Sequence, residues 1–298
     1  MPPGPSTLPA WAQRLQPLAL ALLGDRRVLR VRAVLDRFGQ VGGGLLAAGI
    51  AFNTLFALIP LALFASGLIG LVVRDPETQQ EVIEFLAGLA PPLAPFIETA
   101  VGGLAGASAS VTIIGLIGAA WGATRLYASI ELGIQAMFAG VKARSIVAKT
   151  VRRVAFVAVL AALIVAAIAV TTIGSVFGDR IASMGALSIV VSAVLVALPY
   201  AISAIAVGAV YQVVPPIRPP SAAVWLPALL TGIAIVLITQ VFAIVAPLLI
   251  GTNVLYGTLG TLFAALAWLN LISTVLLVGA AWVRIRMLSD DEVAATVV

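Results

Sequence analysis

Six apolar segments, at 42–73, 109–139, 154–178, 185–214, 222–250 and 256–283, decide what this chain can fold into. A bilayer core about 30 Å thick needs a helix of roughly 20 apolar residues rising about 1.5 Å each, and each segment is long enough. The apolar/polar alternation of a membrane β-barrel is absent, so helices must satisfy the backbone inside lipid. Composition agrees: 62% of residues are hydrophobic and 10% are charged, against about 25% charged in soluble domains. The expected fold is all-α, a polytopic membrane protein with six transmembrane helices.

The basic residues orient it. Of the 17 lysines and arginines, all but Arg74, Arg180 and Arg125 fall on one side of the alternating segments. They lie before the first span, in the 140–153 loop, at Arg218, and at Arg284 and Arg286. Positive charge is retained on the cytoplasmic side, so the N- and C-termini are expected in the cytoplasm. The net charge of +5 then reflects topology and contact with anionic lipid headgroups, and no nucleic-acid partner is needed.

Three regions follow. Residues 1–38 form a cytoplasmic segment ending in a basic stretch. There Val28, Val31, Leu35 and Phe38 recur at helical spacing beside arginines, the pattern of a helix lying on the membrane surface. Residues 39–286 form the transmembrane domain, and 287–298 a cytoplasmic tail. The external segment 74–108 opens with Glu77, Glu81 and Glu84 interleaved with Val82, Ile83, Leu86 and Leu89. It reads as an amphipathic helix at the outer surface, ended by Pro91 and Pro92. The turn VPPIRPPS at 214–221 must be extended and stiff. Two halves of three spans each would have opposite orientation, and Pro60 and Pro199 fall at matching kink positions in the first and fourth spans. That pattern is compatible with a 3+3 inverted repeat.

Charge inside the second span is the main functional signal. The stretch WGATRLYASIELGIQ (121–135) carries Arg125, Glu131 and Gln135. Arg125 and Glu131 are six residues apart, about 240° around a helix, so they cannot pair on it. Tyr127, Glu131 and Gln135 share one stripe at i,i+4 spacing, and Arg125 lies one turn from Trp121, within reach of a cation–π contact. A charge at the centre of a lipid-facing helix costs between ~2.5 and ~17 kcal/mol. Both charges are therefore expected to face the bundle interior, a watery cavity or the interface. Lining a polar pathway is one reading. The other is an interfacial stripe that snorkels to cytoplasmic water. Asn53, Gln212, Gln240 and Asn270 can each be interhelical hydrogen bonds.

Histidine and cysteine are absent, which removes thiolate chemistry and the usual metal ligands. No P-loop, G-x-S-x-G or H-E-x-x-H motif is present, and Glu131 has no acidic partner in another span. No catalytic residue, metal or cofactor is expected.

The first span, LAAGIAFNTLFALIPLALF (46–64), resembles the opening signature of the YihY/BrkB family of bacterial inner-membrane proteins. The basic loop after IQAMFAG, the VPPIRPP turn at 214–220 and YGTLGTLFAALAWLNLISTVLLVGA (256–280) extend the resemblance from about residue 36 to 286. It implies six helices, cytoplasmic termini and a multi-pass protein of the bacterial inner membrane. It also implies a link to envelope lipid export and virulence. The family's old ribonuclease label finds no phosphodiester-cleaving site here. Asn53 stands where the family often has tyrosine, Gln135 where it has asparagine, and GAAW (279–282) where an acidic residue is common.

The expected function is a transporter or flippase-like carrier of a lipid or amphiphilic solute. In it Arg125 contacts an anionic headgroup, Glu131, Gln135 and Tyr127 line the polar path, and Asn53 faces the same cavity beside Pro60. The alternative is a non-transporting scaffold or envelope-assembly factor whose polar residues hold helices together. Nothing in the sequence excludes a homo-oligomer.

Overall fold

The structure, a computed structural model, describes residues 26–72, 91–98, 109–138, 186–250 and 254–289, with single positions at 80, 84, 87, 88 and 292. The segment expected to span at 154–178, the basic loop at 140–153, residues 1–25 and most of 74–90 and 99–108 lie outside it.

Six long helices make up the described structure: α1 (Arg26–Gln40), α2 (Gly43–Val72), α3 (Ala109–Met137), α4 (Ala186–Val213), α5 (Ser221–Ile250) and α6 (Val254–Arg286). The described residues contain no strand. Five of these helices are long and apolar enough to cross a membrane. Their limits fall within a few residues of the expected segments. Apolar helices can span because each closes its own backbone hydrogen bonds.

Small residues set the pairing. On α3, Gly115, Gly118 and Gly122 lie against Phe64, Pro60 and Ala57 of α2, so closely that a Cβ on any of them would collide. Rising numbers on α3 meet falling numbers on α2, so the two helices are antiparallel. Without a hydrophobic force between helices in lipid, such close backbone approach is what van der Waals packing can exploit. The α4/α5 pair uses the same device, with Gly232 against Ala204 and Gly208 against Trp225 and Ala228. In turn, α6 lies antiparallel to α5, because Trp268 meets Thr239 and Arg286 meets Ala222. It is antiparallel to α2 as well, because Ala47 clusters with Leu277 and Leu55 with Trp268, and so runs parallel to α3.

So α3, α4 and α6 run one way and α2 and α5 the other. The end of α3 and the start of α4 therefore lie at opposite ends of the bundle.

One end of the bundle is sealed. A buried cluster joins Ala47 of α2, Ile134 of α3, Tyr211 of α4, Val224 of α5 and Leu277 of α6. The cluster extends to Ala33 and Val34 of α1. Gly42, with φ of 66°, turns the chain from α1 into α2 in a left-handed conformation that glycine adopts without a Cβ penalty. Gly43 then leaves room for the Phe38 ring.

The surface face expected of α1 is divided. Val28, Val31 and Leu35 are exposed, whereas Phe38 packs against the core. The 214–220 turn is non-helical, with Pro215 fully buried.

In the external segment Gln80, Glu84, Ala87 and Gly88 are helical, the rest of the expected amphipathic helix lies outside the described residues, and Pro91–Leu93 and the turn Ala94–Ile97 follow. Pro91–Leu93 enters the bundle and packs against α5 and α6. Pro92 and Leu93 are buried, and Leu93 and Ile97 share a cluster with Leu55, Ile238 and Trp268 from the middles of α2, α5 and α6. Irregular backbone at that depth is tolerated only when protein covers it. The prolines 91, 92 and 95 help by removing three N–H groups that would otherwise need acceptors.

Candidate functional site

Arg125 is the central residue of the Ile113–Met137 span, twelve positions from either end. Its guanidinium lies 4.9 Å from the centre of the Trp121 ring. Helical side chains lean toward the N-terminus of their helix. In α3 that direction leads away from the end where α1 packs, so the charge is drawn away from the basic end.

The contact continues onto α2. Trp121 meets Phe56 edge to face at 6.2 Å between centroids, and Phe56 stacks on Phe52 at 5.8 Å. Phe52 and Phe56 are four apart and share a face of α2. The antiparallel register that sets Gly122 against Ala57 brings that face beside Trp121.

Against the described residues Arg125 is exposed, as are Trp121, Phe52 and Phe56. The four side chains form a band on the outer side of the α2/α3 pair. On the other side of α3, Tyr127 at 1% and Ile130 at 9% exposure are buried.

The stripe Tyr127–Glu131–Gln135 is likewise divided. Tyr127 is buried in the core, while Glu131 and Gln135 are half-buried. Gln135 donates from Nε2 to Glu131 Oε1 at 2.9 Å. Among the described residues no cation pairs with Glu131. Asn53 is half-buried and donates to the Gly49 carbonyl of its own helix at 2.9 Å.

The remaining polar groups mostly join helices. Tyr211 donates to the Leu276 carbonyl at 2.7 Å and lies 3.4 Å from Thr231 Oγ1, linking α4, α5 and α6. Ser203 donates to the Gly232 carbonyl at 3.1 Å. Gln240 donates to the Tyr200 hydroxyl at 3.1 Å, and Trp268 Nε1 donates to Thr239 Oγ1 at 3.2 Å. Thr274 donates to Asn270 on the same helix at 3.4 Å. Pro60 and Pro199 lie inside α2 and α4, and Pro60 fills the space that Gly118 leaves open. Among the described residues no group of three acidic side chains, histidines or cysteines could hold a metal.

At the sealed end, Arg37 donates from Nε to the Met137 carbonyl at 3.1 Å and from Nη2 to the Ala136 carbonyl at 3.3 Å. The last carbonyls of a helix lack intrahelical partners, so this arginine of α1 caps α3. Partial burial and the facing charge of Arg284 hold its pKa below the ordinary arginine value.

Spacing along α3 revealed Arg125 and its tryptophan. Phe52 and Phe56 were visible only as an i,i+4 aromatic pair, and nothing in their spacing assigned them to α3. Leu93 and Arg37 carried no local signal of depth or of partner.

Apolar helices joined by glycine contacts, with an irregular turn inside the bundle, define a polytopic α-helical membrane protein. The sequence model of the family described as "Virulence factor BrkB" matches residues 34–294, and the chain belongs to that family. No curated protein and no solved structure matches it.

Proposed function

We propose that this protein is a carrier of a lipid or amphiphilic solute in the bacterial cytoplasmic membrane. The observation that carries this reading is Arg125, a full charge at the middle of a span, exposed to the side and held there by Trp121. A permanent charge in that place is costly without a polar ligand or water, and an amphiphile brings both a headgroup and tails. Glu131 and Gln135, nearer the basic end, give the headgroup its next polar contact. Asn53 flanks the same face of α2. Anionic headgroups also meet the arginines of α1 and the basic loops.

The proposed topology has six spans and both termini in the cytoplasm. It is supported by the basic residues gathered at the α1 end and by α3 ending where α4 does not begin. The opposite directions of α2 and α4, each with an internal proline, favour an inverted repeat. Carriage rather than catalysis is proposed because Glu131 is the one carboxylate in the six apolar segments.

A scaffold role is the second reading, favoured by the bonds of Tyr211, Ser203 and Trp268 that tie helices together. Movement of headgroup-labelled lipids between leaflets of proteoliposomes separates the two. A carrier moves lipid, and Arg125→Ala and Glu131→Gln slow that movement while the protein stays folded. No movement under any imposed ion gradient would remove lipid carriage and leave the scaffold.

A further inference from the structure

We infer that the band Phe52–Phe56–Trp121–Arg125 is a lateral binding site for a net-anionic, phosphate-bearing lipid whose tails stay in the bilayer. This rests on the carrier reading and narrows its substrate class.

Three observations lead there. First, the cation needs a counter-charge that the described residues do not supply. Glu131 is the one carboxylate in the apolar segments, it lies about 240° around the helix from Arg125, and it is held by Gln135.

Second, another copy of the chain does not supply one either. In a two-fold pair with its axis along the bilayer normal, residues keep their depth. Arg125 would then face its own equivalent, and the partner's Glu131 would stay about 9 Å away in depth.

Third, among the described residues the exposed side of the band faces outward from the middle of a span. A free anion would have to cross hydrocarbon to reach it, whereas a lipid arrives with its tails already there. Phe56 and Phe52 extend the aromatic surface from Trp121 and offer those tails a flat apolar face. A guanidinium presents a planar fork of donors that matches phosphate oxygens two at a time. Trp121 is the positioning residue, because it holds the guanidinium away from the basic end.

The test is lipid retention by the full chain in detergent, read by native mass spectrometry. Dioleoyl phosphatidylglycerol, dioleoyl phosphatidylcholine and inorganic phosphate are the probes. The parent should hold phosphatidylglycerol about tenfold or more over phosphatidylcholine, as expected for one charge-assisted contact. Arg125→Gln should abolish the preference, Arg125→Lys should keep part of it, and Trp121→Leu should weaken it. Inorganic phosphate should not displace the lipid.

Equal retention of the two lipids, an unchanged preference in Arg125→Gln, or displacement by inorganic phosphate would each overturn the inference. If Arg125→Gln does not fold, Arg125→Lys and Trp121→Leu decide the question. Selective retention without movement between leaflets supports this site and sinks the carrier reading. Movement that Arg125→Gln leaves unchanged overturns the site and leaves the carrier reading standing.

Discussion

Arg37 donates a hydrogen bond to the main-chain carbonyl of Met137, one hundred residues further along the chain, at 3.1 Å. The bond fastens the amphipathic helix α1 to the end of the helix that carries Arg125 and Glu131. A second bond, to Ala136, makes the guanidinium a fork over two carbonyls that α3 cannot satisfy itself.

Arg37→Ala removes both bonds and should cost about 1.5–3 kcal/mol, the range for hydrogen bonds to a charged group. Release from the facing Arg284 charge offsets part of that. Arg37→Lys, without the fork, should recover only part of the loss. Unfolding in mixed micelles measures the difference. Stability unchanged in Arg37→Ala would show that the latch does not hold α1.

Gly279 leaves room for the Tyr211 hydroxyl and Thr231 Oγ1, and a Cβ there would collide with both. Gly279→Ala should destabilise the protein by roughly 1–3 kcal/mol through overpacking. Adding Tyr211→Phe should restore part of it, because it removes one of the two oxygens in the way. A double-mutant cycle with no coupling between the two positions would contradict this geometry.

Leu93 lies among residues from the middles of the spans, although it belongs to a segment that reads as extramembrane. The chain has no cysteine, so single substitutions report without interference. Leu93→Cys should resist a membrane-impermeant thiol reagent under conditions that label Gln80→Cys. Equal labelling of both positions would place the 91–97 turn outside the bundle.

Ser289 and Glu292 form a reciprocal cap. The Ser289 backbone N–H donates to Glu292 at 2.8 Å, the Ser289 hydroxyl donates to the same carboxylate at 3.0 Å, and the Glu292 N–H donates back to the hydroxyl at 3.4 Å. The backbone bond from Ser289, then its side-chain bond, lower the Glu292 pKa. A depressed carboxylate pKa means stability that is present at neutral pH and lost as pH falls through the folded value. Hydrogen exchange at 289–292 should therefore quicken below the ordinary carboxylate range, beyond the intrinsic change with pH. Glu292→Gln should flatten that dependence.

The sequence by itself determined that this is a helical membrane protein, where five of its spans lie to within a few residues, and which helix carries charge. Those properties are local: a run of apolar residues must span whatever packs beside it, and Arg125 lies one turn from Trp121 on any α-helix. Tertiary structure alone decided which way Arg125 faces, because outward and inward differ only by which side of α3 meets α2. Gly115, Gly118 and Gly122 fix where α2 approaches, on one side of Arg125, and the side beyond Trp121 is left exposed among the described residues. The depth of Leu93 was undecided for the same reason. Its segment looks amphipathic, and only the space between α5 and α6 shows that protein rather than water covers it.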